Sequence, residues 1–224
     1  ETIFANLFLK HNYGLQTTIG TIDHLKNPSL NEIRKYFYAN YVPNNMAVIL
    51  AGDFDPDAAI AKIEKTFAFM QPKPVANYTY QAETPISQPV VREVFGQTTS
   101  KVNIAFRMPG AATDDAMMLS LVSNMLNNGK AGLIDLNLVK KQQLLESYAF
   151  NWNLKDYSVL WLGATPREGQ SLETARDLLL GEIEKLRKGD FDASLITSII
   201  NNNKRQKLET FETNMGRAFT LEEF

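Results

Sequence analysis

The chain has 224 residues, of which 44% are hydrophobic, so it is long enough to bury a core in one large or two small domains. Its 23 Lys and Arg nearly balance its 25 Asp and Glu, so the charge pattern favours neither nucleic acid nor an anionic membrane as a partner. No apolar run approaches the roughly 20 residues that span a bilayer. The cysteine count of zero excludes disulfides, thiolate catalysis and cysteine-ligated zinc.

The N-terminal region predicts short helices separated by turns. Residues 1–12 are typical of the end of a helix, with Phe4, Leu7 and Phe8 on one side. A turn is expected at His11-Asn-Tyr-Gly14. Ser29-Leu-Asn-Glu32 has the pattern of a capping box, in which the Ser hydroxyl and the Glu carboxylate satisfy free N–H groups at a helix start.

A strand followed by a helix is predicted between residues 46 and 70. Met46 to Ala51 is a short, almost continuous apolar run, which favours a buried strand. Asp55 is a good N-cap and Pro56 suits the first helical position. Because Ile60, Ile63, Phe67 and Met70 then recur every three or four residues, the helix has one apolar face and should pack back on the strand as a closing αβ unit.

Four prolines among polar residues indicate an extended linker after this unit: Pro72, Pro74, Pro85 and Pro89. We therefore divide the chain into a closing αβ unit (1–70), a Pro-rich linker (71–89) and a second domain (90–224). The chain begins on Glu1 and stops at Phe224 in apparent mid-structure, so we expect a piece of a longer protein.

The second domain predicts two strands, two helices, a hairpin and two more helices. In chain order these are 90–95, 101–108, a helix capped by Thr113, 133–144, 147–154, 157–164, a helix capped by Ser171, and a long helix over 191–210. Trp152 and Trp161 are expected inside the hairpin. This order predicts an α+β fold, a mostly antiparallel sheet with helices packed on one face.

Two stretches carry a family resemblance: Gly20 to Leu30 and Tyr41-Val-Pro-Asn-Asn-Met to Ala51-Gly-Asp53. Their order resembles that of the M16 metallopeptidases, the pitrilysin, insulinase and processing-peptidase family. The resemblance covers residues 11–70 and extends over 90–200. It implies an M16 peptidase-like (LuxS/metallohydrolase-like) fold, with the second domain similar to the inactive, C-terminal domain of the family.

The resemblance implies zinc chemistry, but not in this chain. M16 enzymes hold zinc through His-x-x-Glu-His plus a distant Glu, and the motif's Glu activates the attacking water. The sequence has only two histidines, His11 and His24, and neither lies in that pattern. Histidines without a partner at ligand spacing are most often surface or capping residues. We therefore expect no catalytic and no metal-binding residue here, and zinc only in the parent protein.

The family's substrate contacts also look altered. In many members an Arg and a Tyr of the non-catalytic domain hold substrate near the zinc. Laid over that motif without gaps, residues 138–148 place Val139 at the Arg and Glu146 at the Tyr. Because Val cannot donate a hydrogen bond and Glu would repel a substrate carboxylate, we expect no substrate-binding residue of the usual kind.

These observations predict a non-catalytic segment of an M16-type zinc endopeptidase, forming wall and hinge of a peptide-enclosing chamber. Its partners would be the upstream catalytic domain and, in the full-length protein, the peptide substrate. The sequence leaves the compartment of this soluble chain open, with a lean to the bacterial periplasm. One alternative is a structural or interaction protein, an M16 homologue without peptidase activity. Another is a self-standing module that binds peptides at a sheet edge.

The closing unit raises a folding question. Domains of this family end with such a unit, and the second domain here stops before its own. We therefore hypothesise that Met46–Ala51 inserts into the sheet of the second domain, as in a circular permutant, because Val48 and Ile49 left in water would forgo roughly 1.5–3 kcal/mol each.

Overall fold

The computed structural model describes residues 1–222 of the chain. These fall into two compact units, each described by itself below. The sheet unit combines Glu1–Leu9 with Pro85–Lys204, and the helical unit combines Lys10–Thr84 with the segment from Arg205 onward. The division at residues 70 and 89 concerns family domains and stays a prediction. No helix within residues 1–222 is both long and apolar enough to cross a membrane.

The α-helices and strands follow one another along the chain in this order: α1 (Thr2–Leu7), α2 (Asn12–Leu15), α3 (Ile22–Lys26), α4 (Leu30–Asn40), α5 (Pro56–Phe67), β1 (Val102–Pro109), α6 (Asp114–Leu126), β2 (Glu146–Asn153), β3 (Tyr157–Thr165), α7 (Leu172–Lys188), α8 (Ser194–Phe211) and α9 (Asn214–Glu222). A 3-10 turn at Pro43–Asn45 precedes α5, and a π-helix at Asp135–Val139 precedes β2.

The sheet unit is built on an antiparallel sheet with strand order β1-β3-β2. Leu162 of the central strand pairs with Ile104 of β1 and Ala149 of β2, so the inward-facing rows of the three strands coincide. This row packs against α6 and α7, where Leu126 and Leu179 are fully buried. The predicted α+β fold, with an antiparallel sheet and helices on one face, is confirmed.

Several predicted helix starts are confirmed by their caps. Asp55 Oδ1 accepts a 3.0 Å hydrogen bond from the N–H of Ala58, and Ser171 Oγ accepts one of 3.1 Å from Thr174. Ser29 Oγ accepts from the N–H of Glu32, whose carboxylate binds Lys35 rather than completing a capping box. Thr113 differs, because its hydroxyl donates to the carbonyl of Gly110 instead of capping α6.

Two predicted strands are wrong. Residues 46–51 and 90–95 form no regular secondary structure, and within residues 1–222 the sheet contains only β1, β3 and β2. The hypothesis that Met46–Ala51 joins this sheet is therefore wrong as well. Met46 does have extended backbone, with φ −131° and ψ 145°. An extended segment without a neighbour has no hydrogen-bond ladder, so an apolar run alone does not make a strand.

Other elements differ from their predicted bounds. The predicted helix over 133–144 is shorter, with Leu133 and Ile134 helical and the π-helix Asp135–Val139 directly after them. The predicted turn at His11 winds into the short helix α2. The predicted final helix is α8, and α9 after it was not foreseen. A sequence pattern locates such elements better than it fixes their ends.

Candidate functional site

His11 caps a helix inside an aromatic cluster. Its Nδ1 accepts a 3.1 Å hydrogen bond from the N–H of Tyr13, at the start of α2. Its ring lies 4.0 Å from that of Tyr13 and 4.4 Å from that of Tyr80. The N–H groups of Lys10 and His11 both donate to Glu83 Oε1, at 2.7 and 2.8 Å. The capping prediction is confirmed, whereas a surface position is wrong because His11 is buried.

The histidines do not fit a zinc site. His11 uses Nδ1 in its cap, and His24 lies exposed on α3, a different helix. Across residues 1–222, no group of three or more His, Cys, Asp and Glu is arranged to hold a metal ion. Zinc needs such ligands at about 2.0–2.2 Å in tetrahedral geometry. No chemical step through zinc is therefore derived for this chain.

Val139 and Glu146 occupy different elements of the sheet unit. Val139 ends the π-helix and Glu146 starts β2, where its side chain is exposed. Along β2, Glu146 shares a face with Tyr148, Phe150 and Trp152, because alternate residues of a strand point the same way. We call this the outer face of the sheet, since α6 and α7 pack on the opposite one.

Aromatic side chains cover the outer face beyond Glu146. Tyr148 of β2 reaches across Gly163 of β3, and its hydroxyl donates a 2.8 Å hydrogen bond to Asn103 Oδ1 of β1. Trp161 Nε1 donates to the same oxygen at 3.0 Å. Phe150 stacks on Trp161, with ring centroids 5.8 Å apart and planes at 18°. These contacts hold the aromatic side chains in one arrangement across three strands.

Helix α1 covers the other end of this outer face. The Phe4 ring meets Trp152 edge-on at 5.3 Å and lies 6.5 Å from that of Trp161. Phe8 lies 5.6 Å from Tyr157, and the Arg107 guanidinium donates to the carbonyl of Leu7. Trp152 remains 50% exposed, so its predicted place inside the hairpin is wrong. The outer face thus already accepts an apolar segment bearing phenylalanines.

A polar cluster fixes β2 from its inner side. Ser123 of α6 donates a 2.6 Å hydrogen bond to Asn151 Oδ1, and Asn151 Nδ2 donates to Ser120 Oγ at 3.0 Å. Asn153 Nδ2 also reaches Ser120 Oγ, at 3.3 Å. Sequence reasoning missed this cluster, although polar residues at alternate positions 151 and 153 of an otherwise aromatic strand were its signal.

Two buried carboxylates hold the π-helix, and the sequence analysis missed both. Asp135 accepts the backbone N–H groups of Asn128 and Gly132 at 2.9 and 3.0 Å, which closes the loop after α6. Glu182 of α7 accepts from Asn137 Nδ2 at 2.8 Å and from Lys185 Nζ at 2.7 Å. Buried carboxylates need such partners, so these residues position the segment that leads into β2.

Comparisons with known proteins match this chain over most of its length. The family model described as "Peptidase M16 inactive domain" matches residues 28–203. The zinc protease PqqE of Helicobacter pylori is 23% identical over 223 residues, which are 96% of this chain and 49% of that protein. The chain therefore spans about half the length of the curated relative it matches.

Solved structures share the fold. A protease from Helicobacter pylori matches with a TM-score of 0.80 and 23% identity, over 99% of this chain and 55% of that one. The first half of the periplasmic protease PqqL from Escherichia coli matches with a TM-score of 0.62 and 15% identity, over 87% of this chain and 43% of that one.

Proposed function

Because this chain belongs to the M16 peptidase family, in which it matches the inactive domain, we propose that it is a non-catalytic part of a zinc endopeptidase. Its role is to form wall and hinge of a chamber that encloses peptides. The observation that carries this proposal is the family match over residues 28–203, in a chain whose two histidines do not fit a zinc site.

The remainder of the parent protein is the partner of this chain, and it supplies the zinc-binding catalytic domain. The proposal is supported by the length comparison, because this chain spans 49% of its relative PqqE. It is also supported by the apolar residues of α4 and α5, none of which is buried. Apolar faces of this kind call for a covering element.

We propose the bacterial periplasm as the compartment. The proposal is supported by the fold shared with PqqL, which is named as a periplasmic protease. The composition is compatible with this compartment, because a chain with a cysteine count of zero has no thiol for an oxidising environment to act on.

Metal content and peptide hydrolysis test the proposal. Chelator-washed chain is supplied with zinc, desalted and assayed for bound metal, and then for cleavage of a quenched fluorescent peptide library. We expect neither stoichiometric zinc nor hydrolysis, because no three-ligand site is available among the described residues. His11→Ala and His24→Ala serve as matched controls. Zinc-dependent hydrolysis that either substitution abolishes would overturn the proposal.

The rival function is that of a structural or interaction protein, an M16 homologue without peptidase activity anywhere. The same assay on the longer protein distinguishes it from the proposed function. The proposed function requires zinc-dependent cleavage there and none in this chain. Cleavage by neither protein would favour the structural or interaction role instead.

A further inference from the structure

The loop between α6 and the π-helix contains Asn128-Gly129, the only place in the sequence where glycine follows asparagine. In water, the backbone nitrogen after an asparagine can attack that asparagine's side-chain amide, which is the first step of deamidation. Because glycine has no Cβ, it leaves this nitrogen easier to approach than any other residue does. The sequence therefore places a chemically reactive pair in this loop.

The nitrogen of this pair is accessible. Gly129 is exposed, and an added Cβ would meet nothing within 4 Å. Its φ of +76° lies in the left-handed region that favours glycine. Among residues 1–222, no acceptor receives a hydrogen bond from the N–H of Gly129. The reactivity of the pair is therefore controlled by the asparagine side chain and by the loop that carries it.

The side-chain amide of Asn128 is held in place. Its Nδ2 donates a 3.0 Å hydrogen bond to the carbonyl of Asn124. Its Oδ1 accepts the N–H groups of Lys130 and Ala131, at 3.1 and 2.9 Å. Ring closure brings Cγ onto the nitrogen of Gly129 and expels Nδ2, so the side chain must leave this arrangement. Because three hydrogen bonds oppose that movement, we expect a reaction at least about tenfold slower than in a free peptide.

The backbone of the loop is held closed by Asp135. Oδ2 of this carboxylate accepts the N–H groups of Asn128 and Gly132 at 2.9 and 3.0 Å, and Oδ1 accepts from Asn127 Nδ2 at 2.6 Å. Asp135 is 7% exposed, so all three donors meet a buried acceptor. Hydrogen bonds to an ionised carboxylate are about twice as strong as those between neutral groups. Opening of the loop therefore requires Asp135 to release its donors.

We propose that Asn128-Gly129 is a deamidation site that the Asp135-closed loop protects, and that its conversion keeps the loop open. A bond forms between the Gly129 nitrogen and Asn128 Cγ, and the nitrogen loses its proton to solvent. The Cγ–Nδ2 bond breaks, and ammonia leaves with a proton taken from water. Water then opens the succinimide ring at either carbonyl, which gives aspartate or isoaspartate. The net reaction consumes water and releases ammonia, and it does not depend on the proposed function.

The products do not fit the closed loop. Each has a carboxylate in place of the amide, so the hydrogen bond to the carbonyl of Asn124 is lost and the new charge repels that of Asp135. In isoaspartate the main chain also runs through the former side-chain carbon, which lengthens the loop and moves the N–H of Gly132 away from Asp135. Leu126 and Ile134, on the two sides of the loop, are fully buried. Conversion therefore loosens the connection between α6 and the π-helix.

Peptide mapping by mass spectrometry measures the conversion, on the full chain and on a synthetic peptide of residues 124–133 in the same buffer. The wild-type chain should convert at Asn128 at least about tenfold more slowly than the peptide does. Conversion at Asn127, which no glycine follows, should be slower still. Asp135→Asn should raise the rate at Asn128 about tenfold, because the loop loses its charged acceptor. Unaltered tryptophan fluorescence verifies that this variant is folded, since both tryptophans lie in the sheet unit.

Two neighbouring lysines provide a matched pair of milder variants. Lys140 Nζ donates a 2.7 Å hydrogen bond to the carbonyl of Lys130 in the loop, whereas Lys141 Nζ donates to Asn137 Oδ1 outside it, at 3.0 Å. Lys140→Ala should accelerate conversion about two- to fivefold, because an exposed contact that holds the loop is lost. Lys141→Ala makes the same change in net charge and should leave the rate unaltered. This pair tests the proposal even where Asp135→Asn fails to fold.

Hydrogen exchange tests whether conversion opens the loop. Anion exchange separates the converted chain, which carries an additional negative charge, from the unconverted one. The amide of Gly132 donates to Asp135, whereas that of Leu162 lies in the central strand β3 and serves as the reference. Conversion should speed exchange at Gly132 by at least about tenfold and leave Leu162 unchanged, because only the loop opens.

Three results would overturn the inference. The first is conversion of the folded wild-type chain at the rate of the peptide. The second is an equal rate at Asn128 in the wild type, Asp135→Asn and Lys140→Ala. The third is equal exchange at Gly132 before and after conversion. All three concern the loop alone, whereas the proposed function fails on zinc-dependent hydrolysis by this chain, so the two failures are distinguishable.

Discussion

Comparable apolar patterns are buried in the sheet unit of this chain and exposed in the helical unit. In the sheet unit, Leu126, Leu162 and Leu179 come from three elements and are fully buried against one another. In the helical unit, α4 and α5 carry apolar residues at helical spacing but bury none of them, and Val48 is 50% exposed. An amphipathic pattern therefore indicates which face of a helix can be buried. Whether that face is buried depends on the presence of another element that packs on it.

The largest expected effect comes from the core of the sheet unit. Leu162→Ala should lower the free energy of unfolding by about 2–5 kcal/mol, because it removes a buried side chain and leaves a cavity. Val48→Ala in the helical unit should change it by less than about 0.5 kcal/mol, since that side chain is half exposed. Urea denaturation followed by circular dichroism measures both.

Tryptophan fluorescence shows whether the loss of stability in Leu162→Ala occurs in the sheet unit, because Trp152 and Trp161 both lie there. Leu162→Ala should shift the fluorescence transition, and Val48→Ala should leave it in place. Equal losses in the two variants would contradict the difference in burial.

Gly163→Ala should have the next largest effect. A Cβ at this position would overlap the ring of Tyr148, which lies across β3. We expect a loss of about 1–3 kcal/mol and displacement of Tyr148 from Asn103, because the close approach leaves no room for a methyl group. Gly181→Ala on α7 is the matched control, since a Cβ there meets nothing within 4 Å. A crystal structure with Tyr148 undisturbed in the Gly163 variant would contradict the prediction.

Asn103→Ala should cost less, about 0.5–1.5 kcal/mol, because it removes the shared acceptor of Tyr148 and Trp161 from a solvent-accessible position. The exposed donors can turn to water. Asn128→Ala would not serve as a control for this substitution, because Asn128 belongs to the loop that Asp135 closes. The measurement is the denaturation midpoint together with the emission maximum of tryptophan, which should move to longer wavelength. An unchanged maximum would show that this bond does not hold Trp161.

The smallest effect concerns a partly exposed carboxylate on α7, that of Glu184. Hydrogen bonds from Arg187, and then from Lys188, lower the pKa of Glu184 from 4.5 to about 2 despite some desolvation. Because the folded pKa is depressed, this interaction contributes to stability above the ordinary pKa and is lost as the pH falls from about 4.5 to about 2. Carbon-13 NMR titration should find the low pKa in the wild type and a higher one in Arg187→Gln. Equal pKa values of Glu184 in the two proteins would show that Arg187 does not cause the shift.

The sequence predicted the elements whose signals are local. Asp55 and Ser171 cap helices where expected, and the hairpin of β2 and β3 lies within two residues of its predicted bounds. The strands at 46–51 and 90–95 could not be predicted correctly from an apolar run, because strand formation depends on a neighbour distant in sequence.

The candidate site was predictable only in part. The placement of Val139 and Glu146 at the family's Arg and Tyr positions came from the family motif and stays a prediction, whereas the aromatic outer face was not predicted. Its order depends on Asn103, Tyr148 and Gly163, which come from three strands and meet only through the sheet register. Asp135 and Glu182 were missed for a similar reason, since nothing in their local sequence shows that folding buries them.

Hydrogen exchange of the amides of residues 46–51 tests the central claim, that this chain is a non-catalytic part whose apolar closing unit is covered by the rest of a peptidase. In the isolated chain these amides have no ladder partner among the described residues, so they should exchange rapidly. In the longer protein they should be protected by at least about a hundredfold, because the covering part of the peptidase would then give this extended segment hydrogen-bond partners. Strong protection in the isolated chain, or rapid exchange in both proteins, would contradict the account.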